Sequence, residues 1–597
     1  MKEKKVKCTS IGGQAVMEGV MMRGRSSTAI AVRDEKGNIR IESKRIKPAE
    51  KRNLFLRLPI IRGVVSFFSS LVGGIGTLMR SAEVFGEGEP TKFEKWLAEK
   101  LKVNVMGVVT TLSLIIGLAL AVFLFIWLPV NLRTWIFGDD INLWAKNFIE
   151  GGVKILIFVL YILSVSFIKD IKRTFMYHGA EHKTITCFEK GLPLTVANAK
   201  KCSRVHDRCG TTFMVFVLTI SIIVFAVFES VLGINGVKLA NYLRILCKIA
   251  LLPLVAGLSY ELLKALAKTD SFLVYPLKVP GLLLQKLTTK EPTEDMLEVA
   301  IASFNTVMVM DANPEISTRS FFAERRIKDV TSDVLSLLRL NGIEEKAEAE
   351  WIVSIKANVN RDEVYGDKTI SYKIETEILK TVNERITGRP LWYCIGDADF
   401  MGYILKVDER VLIPRPETEI LVESALNEIT PDMKVLDLCT GSGAIGIAIA
   451  LKTEAKVLAT DISEDALSLA KENASRLNAD VEFIKSDIFS SFEDKPEFKF
   501  DVILSNPPYI KTADIENLQK EIKDFEPKSA LDGGIDGLDF YRIIARDVKK
   551  YLNDDGKLFL ECGEGQADVI KEMLVGFKRV EIIKDLENVD RIVKAVL

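Results

Sequence analysis

Histidine and cysteine are scarce in this sequence, with three His and eight Cys among 597 residues. The cysteines include no regular disulfide framework, which excludes a disulfide-stapled secreted scaffold and agrees with a reducing compartment. No cleavable signal peptide is expected, because residues 1–7 are basic and no apolar run follows them directly. Long apolar runs are absent from residues 321–597, so a membrane-embedded part is expected only in the first half.

The whole chain lacks an excess of either charge sign, but each half has one. The net charge is −1. Residues 321–597 hold 38 Lys and Arg against 54 Asp and Glu, a balance of −16, which leaves +15 for residues 1–320. Because hydrophobicity is divided in the same way, the sequence predicts two joined proteins, each long enough to bury its own core.

The first half is predicted to be a multi-pass protein of the cell membrane. Its apolar runs are long enough, or nearly so, to cross a hydrocarbon core about 30 Å thick. These four runs are residues 106–130, 153–168, 211–232 and 245–263. Residues 54–79 are apolar but interrupted by Arg57, Arg62 and four glycines, so an interfacial or re-entrant segment is expected there. The lipid bilayer is therefore a predicted partner.

Loop charges set the expected orientation. Residues 169–210 hold nine Lys or Arg, whereas residues 131–151 hold only Arg133 and Lys146. Since positive loops stay inside, the first of these loops should face the cytoplasm. With four spans, both termini and everything after the membrane domain should then lie in the cytoplasm.

The pattern changes twice after the membrane domain, which we place at residues 1–310. Residues 311–320 are polar with one proline and predict a linker. Residues 321–400 have a charged helical pattern, and from 401 to 597 short apolar strands alternate with helices. The expected fold is an α-helical membrane domain, then a small helical bundle, then an α/β doubly wound (Rossmann-like, class I) domain.

A glycine-rich turn follows the first strand of the α/β domain. Gly441 and Gly443 let the backbone pass close to a ligand, and the helix behind them offers unpaired N–H groups. Asp437 lies four residues before Gly441. This D-x-x-x-G-x-G spacing favours S-adenosylmethionine over a dinucleotide, whose fingerprint is G-x-G-x-x-G. An ordinary tight turn is the alternative for this segment taken alone.

Acidic residues follow the next two strands. Asp461 ends the second strand, where a carboxylate accepts hydrogen bonds from both ribose hydroxyls. Asp487 follows the third strand and can bind the adenine amino group, while Ile488 covers the ring. Each Asp taken alone could cap a helix, but three correctly ordered strand ends favour the cofactor site.

Ser505-Asn506-Pro507-Pro508-Tyr509 follows the fourth strand and predicts the chemical site of a methyltransferase. An amide nitrogen is a poor nucleophile, so its N–H groups must be held by acceptors that aim the lone pair at the sulfonium methyl. The Asn506 side-chain oxygen and the Pro507 carbonyl can be those acceptors, and Tyr509 can stack on the planar amide. The motif also suits nitrogens of adenine and guanine. A proline-rich surface turn is the alternative without a function.

Residues 321–597 resemble the HemK/PrmC family of release-factor glutamine methyltransferases. The matching segments are Gly388-Arg389-Pro390-Leu391, Ile413-Pro414-Arg415-Pro416-Glu417-Thr418-Glu419, the glycine turn, the Asn-Pro-Pro-Tyr motif, Glu526-Pro527, Ala530-Leu531, Gly533-Gly534, Asp536-Gly537-Leu538 and Asp590-Arg591.

The resemblance implies methylation of the glutamine in the Gly-Gly-Gln tripeptide of class I peptide chain release factors. It also implies that the helical bundle helps to dock the factor. The family's binding positions carry over to Cys439, Thr440, Gly441, Ser442, Gly443, Asp461, Ile488, Asn506, Pro507, Pro508 and Tyr509. Cys439 stands where glycine is common, and Ile488 replaces an aromatic residue seen in some relatives.

Nucleic acid is the main alternative substrate. An enzyme acting on it needs a basic face to neutralise phosphates, whereas residues 321–597 sum to −16. The charge balance therefore favours a protein substrate.

All three histidines of the chain cluster in the predicted cytoplasmic loop. His178 and His182 belong to an H-x-x-E-H pattern, which places two imidazoles on one helix face, as a metal requires. His206 and Cys209 could supply further ligands for a divalent metal such as zinc. The alternative is an inert scaffold whose polar loop binds nothing.

Residues 1–310 resemble the YqhQ-like membrane proteins, a family of unknown function. The matching segments are Gly12-Gly13-Gln14-Ala15-Val16-Met17-Glu18-Gly19-Val20-Met21-Met22-Arg23, residues 178–183, and Arg208-Cys209-Gly210-Thr211. This resemblance implies no particular reaction.

Overall fold

The computed structural model describes residues 9–47, 58–85, 105–138, 143–206, 209–234, 241–266, 275–493, 495 and 498–597. The chain divides into two compact units, Met1–Asn383 and Glu384–Leu597. Each unit has its own core, and the two are described separately.

The first unit begins with an antiparallel sheet that the sequence analysis did not predict. Its strands are β1 (Gly12–Val16), β2 (Gly19–Arg23), β3 (Ser27–Arg33) and β4 (Ile39–Arg45). They pair in the order β1-β2-β3-β4, so β1 and β4 are the edges.

Thirteen helices with printed bounds follow in the described part of the chain. They are α1 (Ile61–Ala82), α2 (Val105–Val122), α3 (Leu128–Phe137), α4 (Leu143–Val165), α5 (Lys169–Glu189), α6 (Val196–Lys200), α7 (Gly210–Ile234), α8 (Asn241–Leu266), α9 (Tyr275–Thr288), α10 (Glu294–Ala312), α11 (Ile327–Leu340), α12 (Lys346–Ala357) and α13 (Tyr372–Arg385), the last of which crosses the division between the units. A π-helical turn, Phe123–Trp127, joins α2 to α3. The sheet packs on α5 and α10 through Met22, Tyr177 and Phe304.

Five helical segments of the described residues are long and apolar enough to cross a membrane. They are Ile61–Ala82, Ile115–Phe137, Ala145–Val165, Gly210–Leu232 and Leu246–Leu266. The last four overlap the predicted runs, and the first adds a fifth candidate by length and composition. Because α1 is one continuous helix, the re-entrant interpretation of residues 54–79 is corrected. Its glycines allow close packing instead: a Cβ on Gly63 would lie 2.9 Å from the Gly257 oxygen of α8.

The division between the units does not fall at residues 311–320, where the linker is predicted. Arg319 is buried and its guanidinium lies 2.5 Å from Asp333 of α11. Thr376 of α13 accepts a hydrogen bond from the Ile39 amide of β4, at 3.0 Å. Helices α11 and α12 and most of α13 therefore belong to the first unit, with the sheet.

The second unit is an α/β domain. Its helices are α14 (Leu391–Ile395), α15 (Pro416–Leu426), α16 (Ala444–Thr453), α17 (Glu464–Leu477), α18 (Lys520–Phe525), α19 (Asp539–Asp547) and α20 (Ala567–Met573). Two-stranded pairs are formed by β5 (Arg325–Arg326) with β6 (Thr369–Ile370) in the first unit, and by β7 (Asp397–Phe400) with β8 (Tyr403–Lys406) in the second.

The main sheet of the second unit has seven strands. They are β9 (Lys434–Leu438), β10 (Lys456–Asp461), β11 (Val481–Lys485), β12 (Phe500–Ser505), β13 (Leu552–Glu561), β14 (Arg579–Lys584) and β15 (Asp590–Val596), in the order β11-β10-β9-β12-β13-β15-β14. Strands β9 to β13 are parallel, and β15 runs antiparallel to both of its neighbours. The predicted doubly wound fold is confirmed.

The strand order reverses between β9 and β12, and this reversal determines where a ligand binds. Crossovers leave in opposite directions there and open a crevice at the carboxyl ends of the strands. Alternate residues of β9 pack in different cores, Val435 on one face and Leu436 with Leu438 on the other, so the sheet is covered on both faces.

Candidate active site and candidate metal centre

The carboxyl ends of β9 to β12 enclose one cavity of the second unit. Of the predicted residues, it is lined by Cys439, Thr440, Gly441, Ser442, Asp461, Asp487, Ile488, Asn506 and Pro508. Asp437, Gly443, Pro507 and Tyr509 are not among the lining residues. The strand ends therefore bring most of the predicted cofactor and substrate residues together.

The turn after β9 has the backbone conformation that its glycines predict. Gly441 and Gly443 have φ of +55° and +84°, and Cys439 has φ of +60°. This left-handed region favours glycine, which explains why glycine suits position 439. The Thr440 amide donates to the Thr460 carbonyl at 2.9 Å, which holds the turn against β10.

Asp437 supports this turn from behind. Its Oδ2 accepts hydrogen bonds from the Thr440 hydroxyl, at 2.6 Å, and from the Gly446 amide, at 3.0 Å. Its Oδ1 is buried without a hydrogen-bond partner among the described residues. Burial raises the pKa of Asp437 from 3.8 to about 7.

This raised pKa predicts a pH-dependent stability. Between pH 4 and pH 7 the folded protein retains a proton on Asp437 that the unfolded chain has lost, so the free energy of unfolding falls as pH rises through this window. The contribution is roughly 4 kcal/mol, from about three pKa units at about 1.4 kcal/mol each. Urea unfolding of residues 311–597 from pH 4.5 to 7.5 should show a shallower fall in Asp437→Asn than in the unchanged fragment. Parallel curves would contradict the assignment.

Asp461 lies at the mouth of the same turn. Its Oδ2 accepts from the Gly441 amide at 2.9 Å, and its Oδ1 accepts from the Ser463 amide at 2.9 Å. These bonds fix the carboxylate at the cavity wall, and each oxygen keeps a second lone pair for a ligand hydroxyl. Asp487 and Ile488 line the cavity one strand further out.

Asn506 is oriented by residues that the sequence analysis did not single out. Its side-chain NH₂ donates to the Thr418 hydroxyl at 3.1 Å. Glu561, at the end of β13, is 1% exposed, and its carboxylate lies beside the side chains of Thr418 and Asn506. Burial raises the pKa of Glu561 to about 7. Because the Asn506 NH₂ group is bound to Thr418, the Asn506 Oδ1 remains to accept a hydrogen bond.

The loop that follows Asn506 is braced by a glycine segment. The Gly533 amide donates to the Ile510 carbonyl at 2.8 Å, and a Cβ on Gly533 would lie 2.7 Å from the Pro508 carbonyl oxygen. The Gln566 side chain donates to the Tyr509 carbonyl at 3.0 Å. Burial also raises the pKa of Tyr509 to about 12, so its hydroxyl stays protonated at neutral pH.

Arg415 and Glu526 join the two segments on either side of the cavity. Arg415 Nη2 donates to both carboxylate oxygens of Glu526, at 2.6 and 2.7 Å, and Glu526 is buried. Arg415 and Glu526 belong to two of the segments that match the methyltransferase family. Their ion pair links these segments, although the two residues lie 111 positions apart in the chain.

A second cluster lies in the first unit. His178, His182 and Cys209 each offer one potential ligand atom, and these three atoms lie within 4.8 Å of one another. His178 Nδ1 lies 3.0 Å from the Thr288 carbonyl oxygen and His182 Nδ1 lies 2.7 Å from the Arg204 carbonyl oxygen. A carbonyl only accepts, so both Nδ1 atoms carry the proton and both Nε2 atoms present a lone pair, as metal-binding histidines do.

His206, the fourth predicted ligand, does not join this group. Its Nε2 lies 3.1 Å from Glu189 Oε2. The Cys209 sulfur lies 3.2 Å from His178 Nε2 and accepts from the Thr211 amide at 3.4 Å. The three converging residues fit a divalent metal, since imidazole and thiolate suit zinc.

Fold and site together define the class of the second unit, an S-adenosylmethionine-dependent methyltransferase. The family model described as methyltransferase small domain matches residues 416–524. A release factor glutamine methyltransferase of Thermodesulfovibrio yellowstonii is 39% identical over 254 residues, 41% of this chain and 90% of that protein. One of Geobacter sulfurreducens is 38% identical over 290 residues, 48% of this chain and 98% of that protein.

The first half matches a different family. The family model described as protein of unknown function (DUF1385) matches residues 58–310. The uncharacterized protein YqhQ of Bacillus subtilis is 34% identical over 310 residues, 51% of this chain and 94% of that protein. The chain is a fusion that belongs to the release factor glutamine methyltransferase family through its second half and to the YqhQ family through its first half.

Proposed function

We propose that the second half methylates the side-chain amide of the glutamine in the Gly-Gly-Gln tripeptide of class I peptide chain release factors, with S-adenosylmethionine as methyl donor. The orientation of Asn506 supports this most directly. Its NH₂ group is bound to Thr418, so its oxygen is the group available at the cavity. That oxygen accepts an N–H of the substrate amide.

The reaction requires positioning rather than a strong base. Asn506 Oδ1 and the Pro507 carbonyl accept the two N–H groups of the glutamine amide and aim its nitrogen at the methyl carbon. Pro507 and Pro508 are buried, which keeps the acceptors in place. The N–C bond forms as the sulfonium–methyl bond breaks, and the methylated amide then loses its extra proton to water.

A protein substrate also agrees with the charge of this half. The net charge of residues 321–597 is −16, which disfavours binding of the phosphates of a nucleic acid. The helices of residues 321–400 would help to dock the release factor. Methylation of adenine or guanine in a nucleic acid is the competing function.

The test is methyl transfer from labelled S-adenosylmethionine by residues 311–597, offered release factor, DNA and RNA in separate reactions. Helices α11 to α13 pack in the first unit, but the fragment includes them because a relative matches 290 residues, more than Glu384–Leu597 contains, over 98% of its own length. Label should appear on the release factor and vanish when the glutamine of its Gly-Gly-Gln is replaced. Label on nucleic acid alone would overturn the substrate.

For the first half we propose a metal site formed by His178, His182 and Cys209. The two backbone carbonyls that fix the histidine Nδ1 atoms support it, because an inert polar loop has no need to aim both Nε2 atoms at a thiol. A divalent cation such as zinc would supply Lewis acidity there.

Metal analysis of the purified full chain tests this site. His178→Ala and His182→Ala should each weaken zinc binding by more than about 100-fold, since a lost ligand costs at least as much as a lost outer partner. His206→Ala is the matched control and should keep its metal, because its Nε2 lies against Glu189. Equal metal content in all variants would favour an inert scaffold.

We also propose that α1 lies in the membrane surface and that the other four apolar helical segments cross it. Arg80 at the end of α1 pairs with Glu42 of β4 at 2.7 Å, so this end is held at the sheet. Arg62 at its start donates to Glu261 of α8 at 2.6 Å. Tyr260 and Leu263, which flank Glu261 on α8, line the same cavity as residues of β1. Both ends of α1 would therefore lie on the same side of the membrane.

This arrangement gives an even number of crossings. Both chain termini and the methyltransferase unit would then be cytoplasmic, as the positive charge of residues 169–210 favours. One face of α1 suits the bilayer surface, since its exposed side chains are Phe68, Leu71, Val72, Ile75, Leu78 and Met79.

A further inference from the structure

A cavity lies on one face of the four-stranded sheet. Successive residues of a strand face opposite sides of a sheet. One face packs in the core with α5 and α10, through residues such as Met22 and Ile41. The opposite face lines a cavity of about 1370 Å³ with Gln14, Met21, Arg23, Thr28, Ile30 and Lys44. Small-molecule sites usually have about 300–1,000 Å³, so this cavity has room for a larger ligand.

Helix α1 forms the wall opposite the sheet, and its side chains there are small. Ser66, Ser70, Gly73 and Thr77 line the cavity at helical spacing, together with Gly76. A Cβ added at Gly73 or at Gly76 would have no atom of the described residues within 4 Å. Unlike Gly63, these two glycines leave space open instead of allowing two helices to pack closely.

The cavity changes character along α1. The helix spans about 20 Å from Phe67 to Arg80, at about 1.5 Å per residue, and both residues line the cavity. At the first end the ring centroid of Phe67 lies 5.9 Å from that of Phe213 of α7, and Ile162 and Leu263 also line the cavity. The first end is therefore apolar, and the far end carries a cation.

Three cationic side chains gather at the far end. Arg23 pairs with Thr28 and Thr28 pairs with Lys44 across neighbouring strands, so both cations flank Thr28 on one face. Glu42 pairs with Lys44 and with Arg80, each at 2.7 Å, which holds these two side chains at the same end. Among the described residues that line the cavity, Glu181 alone carries a carboxylate. This end suits an anionic group, since Arg and Lys bind phosphate oxygens.

The apolar end borders the helices assigned to the membrane. Ile162, Phe213 and Leu263 belong to three of the segments that are long and apolar enough to cross it. The cationic end lies on the sheet, outside these segments. A ligand that fills the cavity therefore has an apolar part next to the bilayer and an anionic part next to the sheet, as a membrane phospholipid does. Basic pockets beside transmembrane helices bind lipid head groups in the same way.

We propose that this cavity binds one anionic phospholipid, with its phosphate at Arg23, Lys44 and Arg80 and an acyl chain directed to Phe67 and Phe213. The inference does not depend on a bound metal. His178 and Cys209 line the same cavity, so the bound lipid would lie beside the candidate metal centre.

The experiment counts lipid bound to the full chain in detergent micelles by native mass spectrometry, with deuterated phosphatidylglycerol and phosphatidylcholine as probes. The unchanged chain should hold one phosphatidylglycerol, about tenfold more tightly than phosphatidylcholine. Gly73→Leu and Gly76→Leu should each weaken this binding at least about tenfold, because leucine occupies the open space. Gly152→Leu is the matched control, since Gly152 also has open space around it but does not line the cavity. The melting temperatures of all three variants should match that of the unchanged chain.

The head group has its own pair of variants. Lys44→Ala should remove most of the preference for phosphatidylglycerol, whereas Lys36→Ala, in the exposed turn between β3 and β4, should keep it. Absence of bound lipid, or equal binding by Gly73→Leu, Gly76→Leu and the unchanged chain, would overturn the cavity as a lipid site. Equal affinity for phosphatidylcholine, or displacement of phosphatidylglycerol by an equal amount of oleate, would overturn the phosphate head group. A chelator should leave lipid binding unchanged, so failure of the metal site and failure of this inference are distinguishable.

Discussion

Asn506→Ala should lower kcat/KM for methylation of the release factor by about 1,000-fold, or about 4 kcal/mol of transition-state stabilisation. In the proposed mechanism the side-chain oxygen is one of two acceptors that hold the glutamine amide, and alanine would leave that N–H without a partner. The measurement is steady-state methyl transfer by residues 311–597 at varied release factor. Binding of S-adenosylmethionine, followed by calorimetry, should change much less.

Asn553→Ala is the matched control for this prediction. Asn553 bonds to Asp501, at the start of β12, and so lies at the opposite end of the strand from Asn506. It should retain nearly full activity. A loss below about tenfold in Asn506→Ala would mean that the Pro507 carbonyl alone positions the amide, and would remove the main support for the proposed mechanism.

The residues proposed to contact the reacting groups could be predicted from sequence because they form short contiguous segments. Gly441 and Asn506 each lie directly behind an apolar strand, and the order of strand ends is set by the doubly wound topology. Thr418 and Glu561 were not predicted, since they orient Asn506 from segments 88 and 55 residues away in the chain. Such partners are visible only after the strands have been placed side by side.

The histidine cluster shows that sequence proximity can also suggest a ligand that the fold does not bring to the site. The spacing of His178 and His182 was enough to place both on one face of α5, and the helix Lys169–Glu189 confirms that placement. Proximity in sequence also suggested His206, but its ring is turned to Glu189. Ligand sets that include loop residues depend on backbone paths that sequence spacing does not determine.

The boundary between the units was hard to predict for an energetic reason. Residues 311–320 are polar in composition, which suggests a solvated linker, yet Ile316 and Arg319 are buried. Arg319 and Arg325 share the carboxylates of Asp333 and Glu375, with N–O distances from 2.5 to 3.6 Å. Charged residues are therefore part of this core. A prediction based on hydrophobicity places charged residues at the surface and so misses this core.

Asp333→Ala should accordingly destabilise the first unit of the full chain by about 3–5 kcal/mol, because it leaves Arg319 and Arg325 buried with only Glu375 as a counter-charge. Asp329→Ala on the same helix is the matched control. Asp329 pairs at 2.9 Å with Arg326, which is 49% exposed, so its loss should cost less than about 1 kcal/mol. Urea unfolding followed by circular dichroism measures both. Similar losses in the two variants would show that the Arg319 network contributes no more to stability than a surface pair does.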